Sequence, residues 1–351
     1  MPSQNSSTVL DHLKVARDRL GSGAVWRGGT GVPPVNHAQD ARATFKLHHY
    51  DRLYLMTLVA LLAAFAVSCA SNAQPPFDWK QIEQAIGKAG TVQPDGVYKI
   101  GLPRTDLHVK VGDVEIKPAL ALGSWLAFRK MAAETMVMGD LVLLEDEVGP
   151  VIGKLQEGKI EITALHNHVL NESPRIMYMH ISAHGDAVKL AQTIHDALAL
   201  SKTPLTAAAP PQSADQIDLD TKQIDQIMGR SGKINGGVYQ FAVARSEKIA
   251  EGEMGRGAEP IPASMGLATA INFQPTGPGQ AAITGDFVLI AGEVNPVIAA
   301  LRANGIAVTA VHGHMLEESP RLFFMHFWAN DDALKLAHGL RAALDKTNSA
   351  K

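Results

Sequence analysis

The chain has 351 residues, 46% hydrophobic and 19% charged, which is long enough for two domains with cores of their own and too apolar for disorder throughout. Its 32 basic residues against 35 acidic ones leave no positive field to gather phosphate backbones, so nucleic acid is excluded as an expected partner. A single cysteine, Cys69, excludes an intrachain disulfide and any thiolate metal cluster.

Residues 1–52 carry no sustained helical or strand period and are expected to be translated upstream sequence or a disordered extension. Arg52 then precedes an apolar core from Leu53 to Val67, which suits the h-region of a signal peptide better than a full span of about 20 apolar residues. Segment 53–73 therefore predicts export to an extracytoplasmic place, the periplasm or cell envelope. "AVSC" resembles a lipobox that would make Cys69 the lipidated first mature residue and the membrane a partner through that anchor; "SNA" before Gln74 fits an ordinary signal peptidase instead. A signal peptide belongs at an N-terminus, so the biological start is expected at Met56.

Slid against itself by 146 residues, the interval from His166 to His312, the chain aligns Gly139 to Leu198 with Gly285 to Leu344 without a gap and with roughly half the positions identical. Upstream the match continues more loosely, with "KQIEQAIGKAG" echoed by "KQIDQIMGRSG". The layout is thus a tandem duplication: module 1 over 77–202, a Pro/Ala linker over 203–216 and module 2 over 217–347.

In module 1 the spacing predicts a helix from Trp79 to Ala89 with Ile82 and Ile86 on one face, then strands around Gly96–Gly101 and Leu107–Ile116. "MVMGDLVLLE" reads as a buried strand, and Glu147–Leu155 as a short helix with Pro150 in its first turn. "KIEITALHNHVL" and "RIMYMHISA" read as two strands, and Asp186–Leu200 as an amphipathic helix. The expected class is α+β: a tandem β-α-β-β-α module, related to the ferredoxin-like fold with extra strands, its antiparallel-rich sheet carrying helices on one face. The first β-α-β step would be a parallel crossover, and two such modules could pack about a pseudo-two-fold axis.

The most informative strings are "ALHNHVLNESPRIMYMH" and "AVHGHMLEESPRLFFMH". Alternation along a strand sends His166 and His168 the same way, about 6–7 Å apart at roughly 3.3 Å per residue. A hairpin centred on Ser173 would set His166 opposite His180, with Cβ atoms about 5 Å apart. The same reasoning joins His312, His314 and His326. Three neutral imidazoles so placed can hold zinc or another divalent transition metal, with a fourth position for water or for Glu172 or Glu318. An open site would have the parts of a metal hydrolase acting on cell-envelope material, with Glu172 or Glu318 as catalytic base. Against this stands a bland reading: histidines that hydrogen-bond in a core or stack on Tyr178 and Phe324.

Arg175 and Arg321 of the shared "ESPR" could grip a small anionic or cell-envelope ligand, which would make a non-catalytic binding module; the simpler reading is a tight turn with each arginine paired to the nearby glutamate. Asp140 and Asp286 read most simply as turn formers, with extra metal ligation as the alternative. Glu147 and Glu293 read as helix-start residues favoured by the dipole, with the same ligand role as their alternative.

"RTDL", "MGDLVLLEDEV", "TALHNH" and "ESPR…MH" together resemble the LppY/LpqO family of bacterial lipoproteins, over residues 77 to 346 or so. The resemblance implies an exported, often lipid-anchored protein built from this repeated module, and no particular reaction. Module 2 departs from the pattern, with "ARSEK" for "RTDL" and "AVHGH" for "ALHNH", so its site is expected to be the weaker. The expected function is an exported two-module protein binding metal through one histidine triplet per module, with the hydrolase and the binding module as alternatives.

Overall fold

A computed structural model describes residues 78–205, 217–251 and 259–350, all of which fall in one unit, Gln74–Lys351. Residues 1–52, the apolar run, Cys69 and residues 206–216 of the linker lie outside the described residues.

Module 1 opens with α1 (Trp79–Ile86), which starts where Asp78 accepts from Lys80 N and stops at Gly87, whose φ of 83° no helix continues. β1 (Thr91–Val92) and β2 (Tyr98–Pro103) follow. Where one strand is expected over 107–116, the chain instead makes a hairpin of β3 (Val109–Val111) and β4 (Val114–Ile116), turned back at Gly112 with φ 59°. Next come α2 (Pro118–Ala121), β5 (Gly123–Lys130), β6 (Thr135–Leu144), α3 (Glu145–Glu157), β7 (Glu161–His166), β8 (Glu172–Ser173), β9 (Ile176–Gly185) and α4 (Ala187–Leu198). Helix α3 begins two residues earlier than expected, so Pro150 sits in its second turn and cannot donate back to Asp146 O.

Module 2 repeats the plan. It has α5 (Thr221–Met228), β10 (Lys233–Asn235), β11 (Val238–Ala244), β12 (Ala250–Glu251), β13 (Ala268–Gly277), β14 (Gln280–Ile290), α6 (Ala291–Ala303), β15 (Ala307–His312), β16 (Glu318–Ser319), β17 (Leu322–Asp332) and α7 (Ala333–Leu344).

The two main sheets run β1-β2-β5-β6-β9-β7 and β10-β11-β13-β14-β17-β15, antiparallel at each junction. Because β6 and β7 both run against β9, they are parallel to each other with β9 between them, a split β-α-β unit. The fold is the expected α+β tandem module, with the parallel crossover spanning one intervening strand.

Alternation along the strands builds the layers. In β6, Val137, Leu141 and Leu143 pack with α1, α3 and α4 in module 1's own core, and module 2 has the equivalent core beneath α5, α6 and α7. The opposite faces of both sheets meet each other: Met136 and Met138 pack with Val288, Met315 and Phe324, while Val142, Ile176 and Tyr178 pack with Val238 and Ala282. The order is helices, sheet, sheet, helices, and the middle layer belongs to both modules.

Contacts across that layer are reciprocal. Thr163 Oγ1 donates to His314 O at 2.6 Å, and its repeat mate Thr309 Oγ1 donates to His168 O at 2.6 Å. Such i-to-j, j-to-i pairing is what a two-fold relation between like surfaces produces.

A buried ion pair anchors each module's β-α junction. Arg104, 0% exposed, donates through Nη1 and Nη2 to the two carboxylate oxygens of Glu147 (2.7 and 3.1 Å) and through Nη1 to Val142 O (2.8 Å). Glu147 also accepts from Leu144 N, closing the start of α3. Arg245 repeats this with Glu293 (2.7 and 3.1 Å) and Val288 O, and Glu247 takes the place of Asp106. "ARSEK" therefore carries the same arginine-to-glutamate anchor as "RTDL", although Arg245 Nε is left without the partner that Arg104 Nε finds in Asp106.

Candidate metal centre

The hairpin register differs from the expected one by two residues: Ala164, rather than His166, pairs with His180, and His166 pairs with Tyr178. The reason lies in the connecting loop, where Glu172 and Ser173 form a strand against β3 instead of sitting at a free tip. A shift of two keeps every side chain on its face, so His166 and His180 still point into the middle layer. His168 lies beyond the end of β7, in a loop held by Thr309. In module 2 the pairs are Ala310 with His326 and His312 with Phe324.

The six histidines converge on one cluster between the sheets instead of forming one triplet per module. His166 stacks on its repeat mate His312 with ring centroids 3.5 Å apart. His168 stacks on His326 (3.8 Å) and, reciprocally, His180 on His314 (3.7 Å). Tyr178 covers His168 (3.3 Å) and Phe324 covers His314 (3.4 Å), the aromatic stacking that the bland reading anticipates.

Two aspartates join the rings. Asp140 pairs in register with His180 across β6 and β9, and Asp286 with His326 across β14 and β17. Both sit mid-strand and face inward, so they are not turn formers. Gly139 and Gly285 beside them let the neighbouring strand approach: a Cβ on Gly285 would lie 2.0 Å from Ala270 O. Recurrence of Gly-Asp at the same offset as the histidines is the sequence signal for these two residues.

Hydrogen placement shows what the rings offer. A backbone carbonyl only accepts, so each imidazole nitrogen bonded to one must carry the proton. His312 Nδ1 donates to Gly313 O (3.1 Å), His326 Nδ1 to Gly285 O (2.8 Å) and His166 Nδ1 to Asn167 O (3.1 Å). Neutral His312 and His326 therefore turn bare Nε2 lone pairs toward each other at 2.9 Å. Two lone pairs at that distance repel unless a cation lies within reach of both. His166 Nε2 and His180 Nε2 stand 3.0 Å apart in the matching position.

Protonation is not the source of that cation. Burial is the largest influence on all six rings and pushes each below the ordinary histidine range, His166 and His312 to about 4 and His326 to about 3. Burial likewise raises Asp140, with Asp286 adding repulsion, and raises Asp286. Asp140 Oδ1, Asp286 Oδ1, His168 Nε2 and His314 Nε2 are buried without a hydrogen bond among the described residues. His168 Nε2 comes only within 3.7 Å of Asp140 Oδ2, and His314 Nε2, at 3.2 Å from Asp286 Oδ2, lacks hydrogen-bond geometry.

Four donor sets have ligand atoms mutually within 4.8 Å: His166/His168/His326, His166/His180/His312, Asp140/His168/His180 and Asp286/His312/His326. Two of them mix modules, and Glu172 and Glu318 are in none. Glu172 Oε1 accepts from Ile176 N (3.1 Å), and burial lifts its carboxyl to about 7. Glu318 accepts from Leu322 N (2.9 Å) and Arg321 Nη1 (3.2 Å). Arg321 also clamps Leu316 O (2.9 Å), and Arg175, 66% exposed, lies 3.6 Å from Glu145 on the surface. The "ESPR" strings thus shape turns beside the cluster.

No curated protein matches the chain. Among solved structures, a trimeric bacterial microcompartment shell protein, PduB, is 10% identical, covering 76% of this chain and 96% of that one, with a TM-score of 0.19. EtuB from Clostridium kluyveri is 8% identical, covering 73% and 90%, with a TM-score of 0.17. Likeness at that level carries no structural or functional argument. A family model described as "Domain of Unknown Function (DUF1259)" matches residues 80–200 and again 222–346. The chain belongs to that family, as two tandem copies of its domain whose inner faces share one histidine and aspartate cluster.

Proposed function

We propose that this protein binds a divalent transition metal in a centre that its two modules build jointly. The observation that carries the reading is the 2.9 Å approach of His312 Nε2 and His326 Nε2, both stripped of hydrogen by backbone carbonyls. Donation of the far ring nitrogen to a carbonyl is how metal-ligating histidines are oriented. An ion about 2.0–2.1 Å from both nitrogens would subtend an angle of about 90°, narrower than the roughly 109° of a tetrahedral site and ordinary in octahedral or square-planar ones. The rings are neutral at neutral pH, so no proton has to leave an imidazolium first. Imidazole with carboxylate suits zinc, copper, iron or nickel. Zinc is the first to test.

Metal analysis of purified protein is the test. Wild type is expected to retain bound metal through dialysis. His166→Ala/His168→Ala should lose affinity by more than the roughly 10–100-fold that removing an outer-shell partner costs. Equal metal content in the two proteins, or none in either, contradicts the reading.

Export is a second proposal, supported by the apolar run Leu53–Val67 and Cys69 in the sequence alone. Mapping the N-terminal peptide of the mature protein tests it; a mature chain that still begins before Met56 would count against it.

A further inference from the structure

The number of ions in the cluster rests on the metal-binding reading and can be counted from its donors. Six imidazoles and two carboxylates are eight donors, about twice what one four-coordinate ion uses. They also divide. Asp140/His168/His180 and Asp286/His312/His326 are complete donor sets that share no residue.

The groups left without hydrogen bonds divide in the same way. Asp140 Oδ1 and His168 Nε2 are orphaned on one side, Asp286 Oδ1 and His314 Nε2 on the other, and the 146-residue repeat maps each pair onto the other. A single ion between the four rings nearest the axis, His166, His180, His312 and His326, would leave all four orphans buried and unpaired. A single ion beside one aspartate would satisfy one pair and leave its image. Buried polar atoms without partners are costly enough that both halves need a ligand.

We infer that the centre holds two divalent transition-metal ions, one beside Asp140 and one beside Asp286, each bound by a carboxylate oxygen and at least two imidazoles. His166 belongs to both mixed donor sets, each of which joins it to one histidine from either aspartate set. His314, the repeat mate of His168, holds its Nε2 3.2 Å from Asp286 Oδ2.

The experiment is a metal count on the full chain, loaded with Zn²⁺, dialysed and read by inductively coupled plasma mass spectrometry against protein concentration. Two ions per chain are expected, falling to one in Asp140→Asn and to one in Asp286→Asn. The wild-type count does not depend on either variant folding. Loading with Cu²⁺ and recording the electron paramagnetic resonance spectrum adds an independent readout, a half-field signal from two neighbouring spins. One ion per chain with no half-field signal overturns the paired site while metal binding stands. Two ions in both aspartate variants overturns the placement beside the aspartates. No ion at all overturns the metal-binding reading itself.

Discussion

Arg104→Ala is expected to destabilise the folded protein by about 3–5 kcal/mol, because it strands the buried carboxylate of Glu147 without its bidentate partner. The loss also frees Val142 O, two residues along β6 from Asp140, so the damage sits at the root of the metal centre. Arg104→Lys should recover little, since an ammonium cannot supply the forked pair of donors. Chemical denaturation at neutral pH measures this, with Arg245→Ala as the matching variant in module 2. A change below about 1 kcal/mol for both would mean that the pairs do not anchor the β-α junctions.

Metal-free protein should lose stability steeply as pH falls from about 6.5 toward 4. The unfolded chain takes up protons on histidine near 6.5, whereas in the folded chain burial holds His166 and His312 at about 4 and His326 at about 3, and His168, His180 and His314 well below the ordinary value. Through that window the unfolded state binds more protons, so stability rises with pH and falls as the solution is acidified. Each imidazole that charges only on unfolding contributes a slope of about 1.4 kcal/mol per pH unit. Asp140 and Asp286 work in the opposite direction. Their folded values are raised, so the folded state holds protons that the unfolded chain has lost, and acidification relieves part of their cost. Glu172, lifted to about 7, acts in the same direction as the two aspartates, and six rings against three carboxylates set the net sign. Thermal unfolding of chelator-treated protein from pH 7 to pH 4 reads it directly. A flat profile across that range would mean that the rings are accessible to protons in the folded state.

The faces of the strands are legible in the sequence because side chains alternate with a period of two, and that survives errors of register. His166 and His180 keep the same face even though their pairing is off by two, since the shift comes from Glu172 and Ser173 binding β3, a contact between segments some sixty residues apart. His168 illustrates a different limit. It reads as a strand residue by spacing, yet the strand ends at His166 and the loop is positioned by Thr309 of the other module.

The repeat itself marks the six histidines but does not say that the two triplets meet. A hint is present in "RIMYMHISA", where Ile176, Tyr178 and His180 on one face and Met179, Ile181 and Ala183 on the other are all buried. A strand without a polar face is covered on both sides, and helices account for only one. Asp140 and Asp286 read as turn formers because glycine beside aspartate signals a turn locally; here the glycine serves a close strand approach and the aspartate an inward site. Arg104 and Arg245 escape a sequence reading as partners of Glu147 and Glu293 because some forty residues separate them and their flanking motifs differ.

The most direct test is diffraction from crystals of metal-loaded protein at the absorption edge of the bound metal. Anomalous density should fall in the layer between the sheets, within bonding distance of the cluster's own side chains, Asp140, His168 and His180 on one side and Asp286, His312 and His326 on the other. Density outside that layer, or crystals of fully soaked protein with none, would contradict the metal centre.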